Sequence, residues 1–476
     1  MDKKKLEKIK RLTKLKNLKK SEDTKKPKNY KEKVGKLYLA EFDEYPTDAT
    51  YEIAPMAPEE MEPAPPEEIV PVNPEKFTPP HLWELPAEDK PLQEPVTEQK
   101  FDQKPTNTKE KISHASLLLT TDCNLQCPYC YHKGGKVQTM EENMAYFIID
   151  FLLNNSGPEL SINFFGGEPL LEFRLIENIV SYTRKKAVAE RKKVSFSINT
   201  NGLLLNEYIT NFLWLNNIGT TISIDGTPAS HDMFRIDKTG DGTYNQLMSK
   251  LPLLLKKPRL VHVRMTVTPH TVEDMFEGVR NIYRLGFRTL GIAMDRSNEL
   301  WNGSKQGIFF NEYERILLWY MEIVREGEDF FLIDLDHGAA SLVCEKDEKR
   351  LPCGAAVSGV AITPRGTLYP CYRFVTIAGS EVGDVFNGFN REREKYLYSN
   401  YYDFSKCKSC NFKSICHRCP WLSYLRTGNI SIPIEINCFE AELMKNLFYE
   451  YHRTMETEND PNFKKRIQNI KKYFST

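Results

Sequence analysis

The sequence predicts an α/β fold. A parallel sheet of about six βα units is closed only into a partial barrel. A small Cys-rich α+β domain follows it, and a disordered extension precedes it. Three observations lead there. Short apolar runs alternate with amphipathic stretches between residues 114 and 294, the texture of βα units on a parallel sheet. A full eight-unit barrel needs roughly 250 residues, more than that span offers. From Cys344 the text shifts to short segments rich in glycine and cysteine, which suits a domain organised by metal more than by a large core.

The elements follow in order. Residues 116–121 form an apolar run, read as a buried strand, and a Cys-rich loop follows at 122–136. Residues 139–154 place Met144, Phe147, Ile148 and Phe151 on one helical face. Residues 160–165 read as a strand ending in Gly-Gly, 170–188 as a helix, and 194–198 as a strand. Then come a helix at 207–215, a strand at 219–224, a helix at 244–255 and a strand at 260–267. A helix at 272–285, a strand at 289–293 and a long helix at 309–327 complete the barrel region. A helix near 439–452 closes the second domain. The boundaries expected are 1–110 for the extension, 111–330 for the barrel, 331–456 for the Cys-rich domain and 457–476 for a charged tail.

The chain has 476 residues and a formal net charge of zero, which excludes a global pull toward nucleic acid or anionic membrane. That zero conceals two opposed segments. Residues 1–36 carry 16 Lys+Arg against 5 Asp+Glu, whereas residues 37–110 carry 5 against 18 and 14 of the 28 prolines. Such a segment has too little apolar surface to pack and reads as a tether. There is neither an apolar run long enough for a membrane helix nor a secretory signal, so a cytoplasmic location is expected. Thiols stay reduced there, and 11 cysteines point to metal or catalysis before disulfides.

The first cysteines are Cys123-Asn-Leu-Gln-Cys127-Pro-Tyr-Cys130, three soft ligands on one loop after the first strand. Three thiolates suit an iron–sulfur cluster with one iron left open. A zinc site wants a fourth ligand, which His132 could supply. This spacing, with an aromatic residue before the last Cys, resembles the signature of the radical S-adenosylmethionine (SAM) superfamily. The resemblance implies a [4Fe–4S] cluster on Cys123, Cys127 and Cys130 whose open iron binds SAM. Reductive cleavage of SAM then yields a 5′-deoxyadenosyl radical that abstracts hydrogen. Tyr129 would pack near the cluster and the adenine. Gly166-Gly167-Glu168-Pro169, one βα unit later, resembles the family's GGEP element, which implies contact with the SAM amino group. Ser197 and Asn199 resemble the region near the SAM ribose and carboxylate; alternatively they cap the next helix. Asp225-Gly226, His231-Asp232 and Arg235 resemble a stretch of peptide-modifying relatives in which the arginine reaches the SAM carboxylate, with Arg264 in reserve.

The other eight cysteines are Cys344, Cys353, Cys371, Cys407, Cys410, Cys416, Cys419 and Cys438. The array resembles the SPASM domain, which implies two auxiliary [4Fe–4S] clusters. Cys344, Cys353, Cys371 and Cys419 would hold the first, and Cys407, Cys410, Cys416 and Cys438 the second. Three clusters then use all 11 cysteines. In the sulfatase-maturing group an Asp follows the third auxiliary Cys and acts as base. Here Tyr372 follows Cys371, as in peptide-crosslinking maturases. The expected function is therefore maturation of a ribosomally made precursor peptide by a thioether or other crosslink, with Tyr372 as a candidate proton acceptor. A flavodoxin or ferredoxin would donate the electron. The competing readings are formylglycine formation by a sulfatase-type maturase and a zinc-binding interaction protein.

Overall fold

The computed structural model describes residues 112–132, 136–342, 354–355, 358–390, 392–393, 407, 410, 416 and 419–474. The N-terminal extension, Cys344 and Cys353 lie outside these residues. The elements are β1 (Ile112–Thr120), α1 (Glu142–Asn155), β2 (Ser156–Gly166), α2 (Phe173–Ala189), β3 (Lys193–Thr200), α3 (Glu207–Leu215) and β4 (Gly219–Ser223). They continue with α4 (Pro228–Asp232), α5 (Tyr244–Met248), α6 (Leu251–Leu254), β5 (Val261–Val267), α7 (Met275–Arg284), β6 (Thr289–Met294) and α8 (Gly303–Arg325). Then follow β7 (Phe331–Leu332), α9 (Ile333–Ser341), β8 (Gly359–Ile362), β9 (Thr367–Tyr369), β10 (Gly383–Asp384) and β11 (Gly388–Phe389). The described chain closes with α10 (Pro420–Thr427), α11 (Glu435–Thr457) and α12 (Pro461–Phe474).

One sheet joins both regions, in the order β11-β10-β9-β8-β1-β2-β3-β4-β5-β6-β7. Strands β1 to β7 pair in parallel, as βα connections require. The sheet does not close, because β8 takes the free side of β1, also in parallel, with Ser116 opposite Ala361. The partial barrel is thus an open sheet extended by the antiparallel strands β9 to β11.

Register explains which face does chemistry. Side chains alternate along a strand, so residues opposite one another share a face. One face carries Leu117, Phe164 and Ile198 in a row, then Ile222, Val263 and Leu290, all buried. They join Ile148, Ile176, Leu213, Val279 and Ile282 of the covering helices in one core. The other face carries Ser116, Asn163 and Ser197, then Asn199 and Thr221, then Ser223 and Arg264. This polar row leads to the C-terminal ends of the parallel strands, where such folds place chemistry.

Several elements differ from the sequence reading for local reasons. The helix expected at 244–255 is two short turns, with Pro252 at the start of the second. The long helix begins at Gly303, not 309, because Asn302 caps it by accepting from Ser304 N and Lys305 N, each at 3.0 Å. The segment expected as a charged tail contains α12, which buries Phe463, Ile467 and Ile470 at helical spacing. Its Arg466 reaches the buried Asp336 at 3.3 Å, and Asp336 also accepts from the hydroxyls of Tyr320 and Tyr451.

Candidate active site

The Cys loop leaves β1 and is fixed on two sides. On one side Gly167 N donates to Thr120 O at 2.9 Å and Glu168 N donates to Asp122 O at 2.8 Å. This approach requires glycine: a Cβ on Gly166 would lie 2.2 Å from Thr120 O, and one on Gly167 would lie 2.0 Å from Asp122 O. Gly166 also has φ +136°, a conformation that side chains disfavour. On the other side Gln126 N donates to Ile236 O at 2.9 Å, and Leu125 bridges Asp237.

Glu168 is 1% exposed. Its carboxylate accepts from Leu170 N at 3.0 Å, Thr200 Oγ1 at 2.7 Å and Asn201 N at 2.8 Å. Burial nevertheless raises its pKa to about 7. The side chain expected at an ammonium thus ties the Gly-Gly turn to the end of β3. Asn201, which the sequence reading missed, donates to Asn124 Oδ1 at 2.8 Å and lies 3.9 Å from Cys123 Sγ. An Asn-Gly pair ending a strand was the available signal.

Tyr129 stands over a buried ion pair. Its hydroxyl donates to Asp225 Oδ2, and its ring lies 5.4 Å from Phe234. Arg235 grips the same carboxylate in two places, Nε to Oδ2 at 2.9 Å and Nη2 to Oδ1 at 3.1 Å. Thr266 N donates to Asp225 Oδ1 at 2.8 Å. Arg235 therefore commits two nitrogens within the protein while lying near Cys127. The adjacent His231 is 1% exposed, and its protonation follows from its neighbours. Asp225 N donates to Nδ1 at 3.3 Å, and Thr243 Oγ1 spends its hydrogen on Arg235 O at 2.6 Å. Nε2 must then donate to Thr243 Oγ1, so the ring is neutral, and burial holds its pKa down at about 3.

Ser197 and Asn199 lie half-buried on the polar face, with Ser197 Oγ donating to Asn163 Oδ1 at 3.0 Å. Neither caps α3; Asn206 does, accepting from Ile209 N at 2.9 Å. Arg264 lies on the same face, beside Gly291.

Tyr372 reaches back to this mouth from the C-terminal region. Its ring stacks on Phe165 at 4.4 Å and on Tyr131 at 6.1 Å. His132 packs against Tyr131 and Phe165 at 4.6 and 5.7 Å. Its Nε2 is buried without a partner, and burial, aided by the charge of Arg373, lowers its pKa to about 4.

The donor sets fit iron–sulfur ligation. None of the nine described cysteines forms a disulfide. Burial pushes the Cys123 thiol up to about 12 and raises Cys127, so the bare thiols are protonated and metal must displace those protons. Among the described residues no three Cys, His, Asp or Glu side chains converge on a single metal ion; a cluster, whose thiolates bind separate irons, does not require that. Buried Trp421 Nε1, Ser423 Oγ and Asn437 Nδ2, each close in sequence to Cys419 or Cys438, have no partner among the described residues.

Three thiols at the exit of the first strand of a parallel βα sheet form a donor set suited to an iron–sulfur cluster with an open iron. Residues 117–296 match the Radical SAM superfamily, and the chain carries that domain, which implies SAM and a [4Fe–4S] cluster. A cysteine-type anaerobic sulfatase-maturating enzyme from Clostridium novyi (strain NT) is 23% identical over 319 residues, 62% of this chain and 84% of the relative. The structure of anSMEcpe with bound AdoMet and the Cp18Cys peptide shares the fold, with TM-score 0.61 and 20% identity, covering 75% of this chain and 99% of that one. SuiB from Streptococcus suis, bound to precursor peptide SuiA, has TM-score 0.51 and 15% identity, covering 69% and 76%. By name, one of these relatives matures sulfatases and another binds a precursor peptide. No described helix is long and apolar enough to cross a membrane.

Proposed function

We propose that this chain matures a ribosomally made precursor peptide by forming a thioether or similar crosslink. Cys123, Cys127 and Cys130 would hold the SAM cluster. The Gly166–Gly167 backbone, Glu168, Ser197, Asn199, Arg235 and Tyr129 would surround SAM. Cys344, Cys353, Cys371 and Cys419 would hold one auxiliary cluster, and Cys407, Cys410, Cys416 and Cys438 another. Residues 111–330 would form the catalytic domain and 331–456 the auxiliary one. When bound, these groups supply the radical and an acceptor for the electron that the substrate must lose. The protein's own part is orientation and exclusion of water. The polar row from Ser116 to Arg264 offers donors and acceptors, and the rings of Phe165, Tyr372, Tyr131 and His132 wall the mouth. A small ferredoxin or flavodoxin in the cytoplasm would deliver the electron.

The observation that carries the crosslinking reading is Tyr372. A carboxylate base would stand at this position in a sulfatase-type maturase, but here a tyrosine is packed between Phe165 and Tyr131. The similarity to the Clostridium novyi enzyme favours the second reading, oxidation of Ser or Cys to formylglycine. One assay separates them. The reconstituted full chain is incubated anaerobically with SAM, reductant and short Cys-containing peptides encoded beside its gene. A peptide that loses two hydrogens and gives no hydrazide adduct supports crosslinking. A hydrazide-reactive aldehyde supports the second reading. No 5′-deoxyadenosine from iron-replete protein overturns both.

A further inference from the structure

Arg373 is held between two aromatic rings, its Cζ 4.8 Å from the Tyr131 centroid and 4.9 Å from the Trp421 centroid. Those rings lie 6.0 Å apart and tilted at 58°. Each partner neighbours a thiol in sequence: Tyr131 follows Cys130, Arg373 lies two residues after Cys371, and Trp421 two after Cys419. The stacked trio thus joins the segments that follow Cys130, Cys371 and Cys419, and the thiols of Cys371 and Cys419 lie within electrostatic reach of the guanidinium. Among the described residues no carboxylate pairs with Arg373. A half-buried cation without a carboxylate is favoured when some other anion faces it. Trp421 is 3% exposed, and its indole N–H, which can only donate, has no acceptor among the described residues. Leaving such a buried donor unmade is costly. The cation and the ring that carries this donor are in contact, and each lies two residues after one of the two thiols.

We propose that Arg373 and Trp421 raise the reduction potential of the iron–sulfur cluster that Cys371 and Cys419 help to hold, the guanidinium through its charge and the indole through N–H donation to sulfur. Cluster potentials are set by net charge, hydrogen bonds to sulfur and solvent exposure, and both residues act in the same direction. The inference rests on the reading above in which these cysteines are cluster ligands. Both are positioning residues: they make the cluster a better acceptor for the substrate's electron without touching the substrate.

The test is a redox titration, followed by electron paramagnetic resonance, of the reconstituted full chain. Cys123→Ala, Cys127→Ala and Cys130→Ala are combined so that only C-terminal signals remain, and the signal followed is the one lost on adding Cys371→Ala. In Arg373→Gln the one-electron reduction equilibrium should fall about tenfold, a shift of about 59 mV to more negative potential. Arg373→Lys should recover most of that shift. Trp421→Phe, which keeps the ring and removes only the N–H, should give a smaller shift of the same sign and guards against a folding defect in the arginine variant. Unchanged midpoints with iron retained overturn the inference and leave the cluster reading intact. Absence of iron from the C-terminal cysteines of the parent protein overturns both.

Discussion

The Cys loop after β1 and the C-terminal cysteine region both gather thiols, but they differ in what holds them. The first is fixed by the chain itself: Gly167 and Glu168 bond to the β1 exit, Gln126 bonds to Ile236, and Glu168 satisfies three donors. The second is built of two- to four-residue strands and retains buried donors at Trp421, Ser423 and Asn437 with no partner. The chain's own hydrogen bonds position the first loop, whereas the described part of the second region keeps polar atoms for which the described residues offer no partner.

The largest effect should come from Cys123→Ala. It should abolish 5′-deoxyadenosine formation and remove about four irons per chain, while the C-terminal iron stays, as measured by metal analysis and product chromatography. If that variant also loses the C-terminal iron, the two regions are not independent. Next comes Gly167→Ala, whose Cβ would meet Asp122 O at 2.0 Å. It should lower the urea midpoint by an amount equivalent to about 3 kcal/mol. A loss below 1 kcal/mol would show that the loop gives way and is not fixed by the chain. Iron removal by an anaerobic chelator should sharpen the contrast. Amide exchange in α10 and the start of α11 should accelerate at least tenfold, while β1 to β4 remain protected.

The smallest effect concerns pH. His231 is neutral when folded, with its pKa lowered to about 3, and takes up a proton near 6.5 when unfolded. Its contribution to stability is complete above pH 6.5 and declines as pH falls toward 3, reaching a loss of about 2 kcal/mol at pH 5. Urea titrations at pH 7.5 and pH 5 should show this loss in the native sequence and not in His231→Gln.

The strands, the Cys spacing and the Gly-Gly-Glu-Pro turn were legible in the sequence because each is written in adjacent residues. Alternation placed β1 to β6, and thiol spacing placed the loop. The role of Glu168 was not legible, because two of its three donors come from the end of β3 and only the fold shows them. The bracket of Tyr131, Arg373 and Trp421 joins three distant segments, and no local pattern announces it. The helix α12 was hidden by lysines, since Phe463, Ile467 and Ile470 are a thin apolar stripe in a charged segment.

The pairing of β8 with β1 makes the two halves mechanically inseparable. Within the sheet β1 is an interior strand with neighbours on both sides, and it leads straight into Cys123. A chain ended at 342 would leave one side of β1, with its row of amide and carbonyl groups, open to other molecules, an invitation to aggregate. The strand that carries the first cysteines would then become the sheet's outer border. The C-terminal region is thus a side support of the strand that carries the first cysteines, and cutting it away would strip that strand of one neighbour.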